Sequence, residues 1–455
     1  MNNRRATFRV SLAALSLSLS SLAMASNPAP GASLLMISVD GLKPEYVLEA
    51  DAHALKIPFL RSMMREGAYA RGVTGVWPTV TYPSHTTLLT GVAPAQHGVY
   101  NNLEFDPKNT YANAWYWYAQ QIRVPTLWQA AHDAGMSTAS IGWPVSVGAV
   151  GVDTLIPEFW RVARLTDVDP SDGLLIASLS RPLDLLQQMQ ARVGPYMRGN
   201  DPSPPGDAIK TRYALDVLEH QKPKFMTLHL SSLDEQQHGH GPFSAEANQD
   251  LEMIDGMLAQ LFAAARANDP KAVALVVSDH GFVHIGHKVN LMQPFMQAGL
   301  IHFGGDWKAQ PWSGAGMAAV MLHDPADTKT LTQVRDLLQS LKADPGNGIA
   351  EVLERDAIQA RGAFPDASFL VVMKPGYYAL ADGTSPLQGE VPGSMASHGF
   401  SPEFPEMRAS FFITGPGIAH HRDLGLIDML QIAPTVAQLL NVRLPAAVQP
   451  PLTLQ

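Results

Sequence analysis

The chain contains no cysteine. That excludes disulfides and thiolate-held metals, so any ion must be gripped by Asp, Glu, His or a hydroxyl oxygen. Charge is scarce as well: Asp, Glu, Lys and Arg together make 16% of the residues. Apolar content is ordinary, so this scarcity does not signal disorder. Acids outnumber bases and give a formal charge of −9. Overall charge therefore does not steer the chain towards a nucleic-acid polymer, although a local metal centre can still draw a phosphate. Beyond the first 25 residues, no stretch is long and apolar enough to span a bilayer.

Those first residues are different. "MNNRRATFRVSLAALSLSLSSLAMAS" has a basic head at Arg4, Arg5 and Arg9, then an apolar, serine-rich run. Ala23-Met24-Ala25 fits a small-residue cleavage site. The expectation is a secretory signal peptide over residues 1–25 rather than a stable membrane anchor, for which the serine-broken run is short. Cleavage after Ala25 removes three arginines and no acid, taking the formal charge from −9 to −12. Export without cysteine suits a periplasmic or secreted bacterial enzyme. Composition points to no particular oligomeric state.

At 455 residues the chain exceeds the usual size of one compact core. Short apolar runs recur at 33–39, 137–142, 224–230, 272–278 and 408–414. Nearly continuous apolar runs read as strands buried on both faces, hence a parallel sheet. Between them, Leu251, Ile254, Leu258 and Leu261 follow a helical period. Leu127, Ala130 and Ala131 do so more weakly, and a last helix is expected around Leu430, Val436 and Leu440, started or kinked at Pro434. Alternation of this kind predicts an α/β fold with a doubly wound, mostly parallel sheet. "NPAPGAS" (27–33) reads as a short leader and "RGNDPSPPGDA" (198–208) as a loop. Over 288–395 the rhythm breaks and Gly, Pro and Trp become frequent. The expected organisation is a core over 26–287, an insert or cap over 288–395, and a second core part over 396–455.

Ligands of open α/β sheets bind beyond the carboxyl ends of the strands. Here those ends carry Asp40, Asp234 with His238, and Asp279 with His280, and "SHGF" adds His398. Asp234 and His238 are four apart, so one helical turn puts both on one face. Three carboxylates and three imidazoles can serve two metal ions and leave positions for a nucleophile and a substrate. "WPTVTYPSHTTLLTG" (77–91) offers two hydroxyls, Thr79 and Thr81, ahead of a helix start. One is expected to be a nucleophile and the other a capping or packing residue. Amides at a helix start after Pro83 would place partial positive charge near phosphate oxygens.

The ordered set "MISVDG", "PTVTYPSHTTLLTGVAPAQHGVYNN", "LDEQQHGHGP", "VVSDHGF", "SHGF" and "DMLQIAPTVAQLL" resembles the type I phosphodiesterase/nucleotide pyrophosphatase family, with its alkaline phosphatase-like fold. The resemblance implies Thr81 as nucleophile. It implies one zinc held by Asp40, Thr81, Asp279 and His280, and a second by Asp234, His238 and His398. Manganese remains an alternative to zinc. Asn102 matches the asparagine that binds a phosphate oxygen, with Asn101 as the competing register. His85 is expected to be a structural hydrogen-bonding residue, His97 a turn or cap residue, and His240, His284 and His287 surface or supporting residues.

The chain departs from the family at the nucleophile's flanks. Val80 and Tyr82 stand where nucleotide-cleaving members usually carry lysine and phenylalanine. Tyr82, Phe159 and Trp160, with Trp115, Trp117 and Tyr118, are candidates for an aromatic substrate pocket. The expected activity is hydrolysis of small phosphodiesters or nucleotide pyrophosphates. Monoester or phosphonate hydrolysis, and a non-catalytic metal or phosphate binder, are the alternatives.

Overall fold

The computed structural model describes residues 31–108, 114–161, 171–197, 199, 201–302 and 306–455. The expected signal peptide lies outside them. So do residues 27–30 of the leader and parts of the 198–208 stretch.

Ala32–Gln455 forms one compact unit. Its centre is an eight-stranded sheet. The strands are β1 (Leu34–Val39), β2 (Ala68–Tyr69), β3 (Thr138–Ile141), β4 (Thr154–Ile156), β5 (Phe225–Leu230), β6 (Val273–Val277), β7 (Phe411–Thr414) and β8 (Arg422–Asp423). Their spatial order is β8-β2-β7-β6-β1-β5-β3-β4. The five strands from β6 to β4 run parallel. β7 is antiparallel to both β6 and β2, so the run at 408–414 departs from the parallel set.

The apolar runs are continuous because each sheet face meets a separate core. Leu35, Ile37 and Val39 of β1 enter one core, with Ala274 and Val276 of β6. Leu34 and Met36 enter the other, with Val273, Leu275 and Val277. Side chains of a strand alternate between faces, so burial on both faces favours apolar residues at nearly every position, and the exceptions, such as Ser38 and Thr227, are hydrogen-bonded. Helices α2 (Pro204–His220) and α4 (Ala245–Asn268) cover the first face through Tyr213, Val217, Leu251, Ile254 and Leu258. Helices α1 (Thr81–Thr90) and α5 (Ile432–Leu440) cover the second through Leu88, Leu89, Val436 and Leu440.

α2 starts at Pro204, inside the stretch expected to be a loop. Proline is favoured in the first turn of a helix, where its missing N–H has no partner to lose. α5 starts at Ile432, two residues before Pro434, for the same reason.

Among the described residues of 288–395, none adds a strand to the central sheet. They build a four-stranded antiparallel sheet from Ala309–Ser313, Met317–Leu322, Ile349–Glu354 and Phe369–Met373. Val320, Leu322, Phe369, Val371 and Met373 pack there into a third core. No helix among the described residues is long and apolar enough to cross a membrane.

Candidate metal centre and cavity

β1, β5 and β6 point the same way, so the residues that follow them emerge at one sheet end. Asp40 follows β1 and its N–H donates to Leu230 O at 2.9 Å. Gly41 turns the chain with φ +68, and its N–H donates to Asp279 Oδ1 at 3.1 Å. A Cβ on Gly41 would stand 2.6 Å from the Phe282 ring, so only glycine fits this turn. After β5, helix α3 (Ser232–His240) carries Asp234 and His238 on one face. Asp207 holds the start of α3 from α2, accepting from Ser231 N at 3.1 Å and Ser232 N at 2.8 Å. Lys210, 2.8 Å from Asp207, neutralises that buried charge.

"WPTVT" docks on "SHGF". Thr79 Oγ1 donates to Phe400 O at 2.7 Å, and Gly399 N donates to Thr79 O at 2.9 Å. Thr79 is thus a tie between segments 320 residues apart, and Thr81 is the threonine that faces the acids and imidazoles. Thr81 Oγ1 lies 3.5 Å from His280 Nε2.

Asp40, Asp279 and His280 offer ligand atoms within 4.8 Å of one another, and so do Asp234, His280 and His398. His280 belongs to both groups and stacks on His398 at 3.7 Å between ring centroids. His238 stands at the edge of the second group, with Nε2 3.4 Å from Asp234 Oδ2. The pairing of Asp234 with His238 and His398 therefore has His280 as a closer competitor in this geometry.

The donor set fits a cation on two observations. Each carboxylate keeps one buried oxygen without a satisfactory hydrogen bond, Asp40 Oδ1, Asp234 Oδ1 and Asp279 Oδ2, and the His280 ring, 3.4 Å from the first and 3.1 Å from the last, is shared between two of them. Buried polar atoms are normally paired, so carboxylate oxygens left without hydrogen bonds in both groups call for positive charge. In addition, each imidazole turns Nδ1 to a backbone carbonyl. His238 reaches Ala396 O at 3.0 Å, His398 reaches Thr79 O at 3.1 Å, and His280 reaches Gly281 O at 3.3 Å. A carbonyl accepts a hydrogen bond from Nδ1–H, which keeps the proton there and leaves Nε2 as the ligating atom.

The electrostatics agree. Burial, then the charges of Asp279 and Asp234, pushes Asp40 well above the carboxylate range. Burial also raises Asp234, against the pull of His238 and His280. Asp279 is held low: burial opposes this, but the contacts with His280 prevail. His280 rises to about 9, because Asp279, Asp40 and Asp234 outweigh its burial. Without a cation, protons take up the excess negative charge.

The helix start differs from the expectation. α1 begins at Thr81, so Pro83 sits inside its first turn and supplies no N–H. Tyr82 N–H donates to Asn102 Oδ1 at 2.9 Å. That bond orients the Asn102 amide, because Oδ1 must face the donor and Nδ2 is left as a donor without a partner among the described residues. In Asn101, Oδ1 accepts from Asn102 N and Nδ2 donates to Ser313 O, so its amide is engaged on both sides. Both asparagines line the cavity beside Thr81, and of the two only Asn102 has an Nδ2 with no hydrogen-bond partner among the described residues.

The cavity holds about 410 Å³. Its apolar wall includes Leu103, Trp115, Trp160 and Leu380, and no Lys or Arg stands among the described residues lining it. Phe159 does not line it. It packs 5.4 Å from Trp117 inside the core. Tyr82 reaches the cavity only by an edge: it is 1% exposed, its ring lies against Trp115 at 5.2 Å, and its hydroxyl donates to Glu158 Oε1 at 2.7 Å. Half-buried Trp115 takes the wall position expected of Tyr82. Trp117 and Tyr118 lie outside the cavity lining.

His85 is fully buried, between Thr81 O at 2.8 Å and Ser38 Oγ at 2.8 Å. His97 ends a short helix before Gly98. His240 and His284 are exposed and His287 is partly so. Sequence reasoning missed His229 and Glu158, which stand behind Asp40, and Asp207 with Lys210 beneath α3. His229 did carry a signal, as the one polar ring in the apolar run "FMTLHL".

A family model described as type I phosphodiesterase / nucleotide pyrophosphatase matches residues 34–401. Ectonucleotide pyrophosphatase/phosphodiesterase family member 1 of Mus musculus is 25% identical over 260 residues, covering 54% of this chain and 24% of that protein. Venom phosphodiesterase of Naja atra is 22% identical over 433 residues, covering 90% of this chain and 44% of that protein. The chain thus spans between a quarter and a half of the length of these relatives. Among solved structures, murine ectonucleotide pyrophosphatase / phosphodiesterase 5 superposes with a TM-score of 0.62 at 17% identity, over 92% of this chain and 97% of that one. An inactive threonine-to-alanine form of that murine protein, in complex with AMP, gives a TM-score of 0.61 at 16% identity over 93% and 97%.

Proposed function

The chain belongs to the type I phosphodiesterase/nucleotide pyrophosphatase family, and from that membership we propose that it is an exported, two-zinc hydrolase of small phosphodiesters acting through a phospho-threonine at Thr81. The observation that carries this reading is the convergence of Thr81 Oγ1, three orphaned carboxylate oxygens and three imidazole Nε2 atoms at one sheet end. Asp40, Asp279, His280 and Thr81 would hold one cation, and Asp234, His238 and His398 the other. When bound, such ions lower the pKa of a ligated hydroxyl and offset charge on a phosphoryl group.

The protein's own part is placement. α1 presents Thr81 Oγ1 at its first turn, with its backbone oxygen tied to His85. Asn102 Nδ2 stands ready to donate to a phosphoryl oxygen as charge grows on it. The Thr81 hydroxyl gives its proton to solvent, its Oγ–P bond forms as the ester P–O bond breaks, and the departing alkoxide takes up a proton from solvent. Water then breaks the Oγ–P bond and restores the hydroxyl. An apolar wall without a described lysine or arginine suits the second ester group of a diester better than the extra charge of a monoester. AMP in the murine neighbour supports a small phosphate ester as ligand.

Thr81→Ala is expected to lower turnover of a thymidine p-nitrophenyl ester by about 10⁴-fold or more, as loss of a nucleophile does elsewhere, with zinc content unchanged. Undiminished turnover would reject the reading. p-Nitrophenyl phosphate should be the poorer substrate. Export rests on the basic head and Ala23-Met24-Ala25, and a mature chain starting at Ser26 is its expected signature.

A further inference from the structure

A line of buried side chains runs from Asp40 through His229 and Glu158 to Tyr82. Asp40 Oδ2 faces His229 Nε2 at 2.9 Å. His229 Nδ1 faces Glu158 Oε2 at 3.1 Å and Gly142 O at 3.1 Å. Glu158 Oε1 accepts from the Tyr82 hydroxyl at 2.7 Å, and Tyr82 N–H reaches Asn102. Asp40 is 3% exposed, His229 2%, Glu158 8% and Tyr82 1%. Buried polar atoms with this many matched partners have little freedom to reorient.

We propose that His229 and Glu158 are positioning residues that fix the grip of Asp40 on its cation and tie that grip to Tyr82, the residue after the nucleophile. His229 engages Oδ2, so Asp40 can offer only Oδ1, the oxygen left unpaired and 3.4 Å from His280 Nε2. Glu158 keeps the ring of His229 from turning, and Tyr82 holds the other oxygen of Glu158. This rests on the metal reading above. Partners of ligands typically change metal affinity by roughly 10–100-fold when removed.

The test is zinc titration of metal-stripped full chain, by calorimetry against a competing chelator. His229→Leu is expected to weaken one of two zinc sites by roughly 10–100-fold and leave the other as in the unmodified chain. Glu158→Gln should weaken that same site by less, and Tyr82→Phe by less again. His229→Gln, whose amide can still donate to Oδ2, should recover most of the affinity. A merely structural role predicts a different pattern, in which both sites weaken together with a fall in Tm. That pattern, or unchanged affinity at both sites in His229→Leu, overturns the proposal. If His229→Leu does not fold, Glu158→Gln decides, and unchanged zinc binding in it has the same force. An unmodified chain that binds no zinc instead rejects the metal reading itself.

Discussion

The carboxyl end of the central sheet and the four-stranded sheet of residues 309–373 are built on opposite terms. At the first, Asp40, Asp279 and His280 are buried together, and three carboxylate oxygens lack a satisfactory hydrogen bond. In the second, Val320, Phe369 and Val371 pack on one another. Among the described residues of 288–395, no Asp, Glu, His, Lys or Arg is fully buried. One region holds unsatisfied groups in place for chemistry at the expense of stability. The other is held chiefly by apolar packing and carries no buried charge among its described residues.

That contrast can be broken in four places. The largest effect is expected from metal removal. Chelation should abolish turnover and lower Tm, because the buried carboxylates then lose the cation and can be offset only by taking up protons. For a ligand at a thousandfold its Kd the lost stabilisation is about 4 kcal/mol. Zinc should restore both readouts, and an unchanged Tm would contradict the reading of the orphan oxygens.

Next is Asn102→Ala, expected to cost about 10²–10³ in kcat with little change in Tm. Asn101→Ala should do the reverse, since its amide joins Ser313 to the following residue. Equal effects on kcat would erase the distinction drawn between them.

Phe369→Ala tests the other side of the comparison. Phe369 is fully buried in the third core, and its truncation should cost about 3–5 kcal/mol in denaturant unfolding. The kcat of the folded fraction should hold, and a loss of kcat matching the loss of stability would show that the two regions are not separable.

The smallest effect concerns acid. His97 is buried beside Thr87 of the nucleophile helix at 3.1 Å, and burial lowers its pKa from 6.5 to about 3. It is neutral in the fold, while the unfolded chain takes up a proton below pH 6.5. Its stabilisation is therefore complete above that value and is lost as the pH falls towards 3. Between pH 6.5 and 5 the loss is on the order of 2 kcal/mol. His97→Gln should flatten this slope, and an unaltered slope would exonerate His97.

Much of this was legible in the residues. The strands of the parallel core announce themselves because burial on both faces leaves few polar positions, and strand ends carrying Asp40, Asp234 and Asp279 mark the site by topology alone. Local composition names Thr79 and Thr81 only as a pair, and it is the family resemblance that singles out Thr81 as nucleophile. Only the docking of "SHGF" onto "WPTVT" shows which hydroxyl is engaged in structure. Asn101 and Asn102 were separated by hydrogen-bond partners, one of them 212 residues away. Phe159 looked like a cavity wall because an aromatic beside Trp160 carries no sign of which way it faces.

What the sequence determined by itself is the α/β layering, the donor types and the absence of sulfur ligands, since periodicity and composition are local properties. What only the tertiary structure decided is how those donors are held. His229, Glu158, Asp207 and Lys210 act through contacts between residues far apart along the chain. A hydrogen bond depends on distance and direction in space, and neither is written in residue spacing.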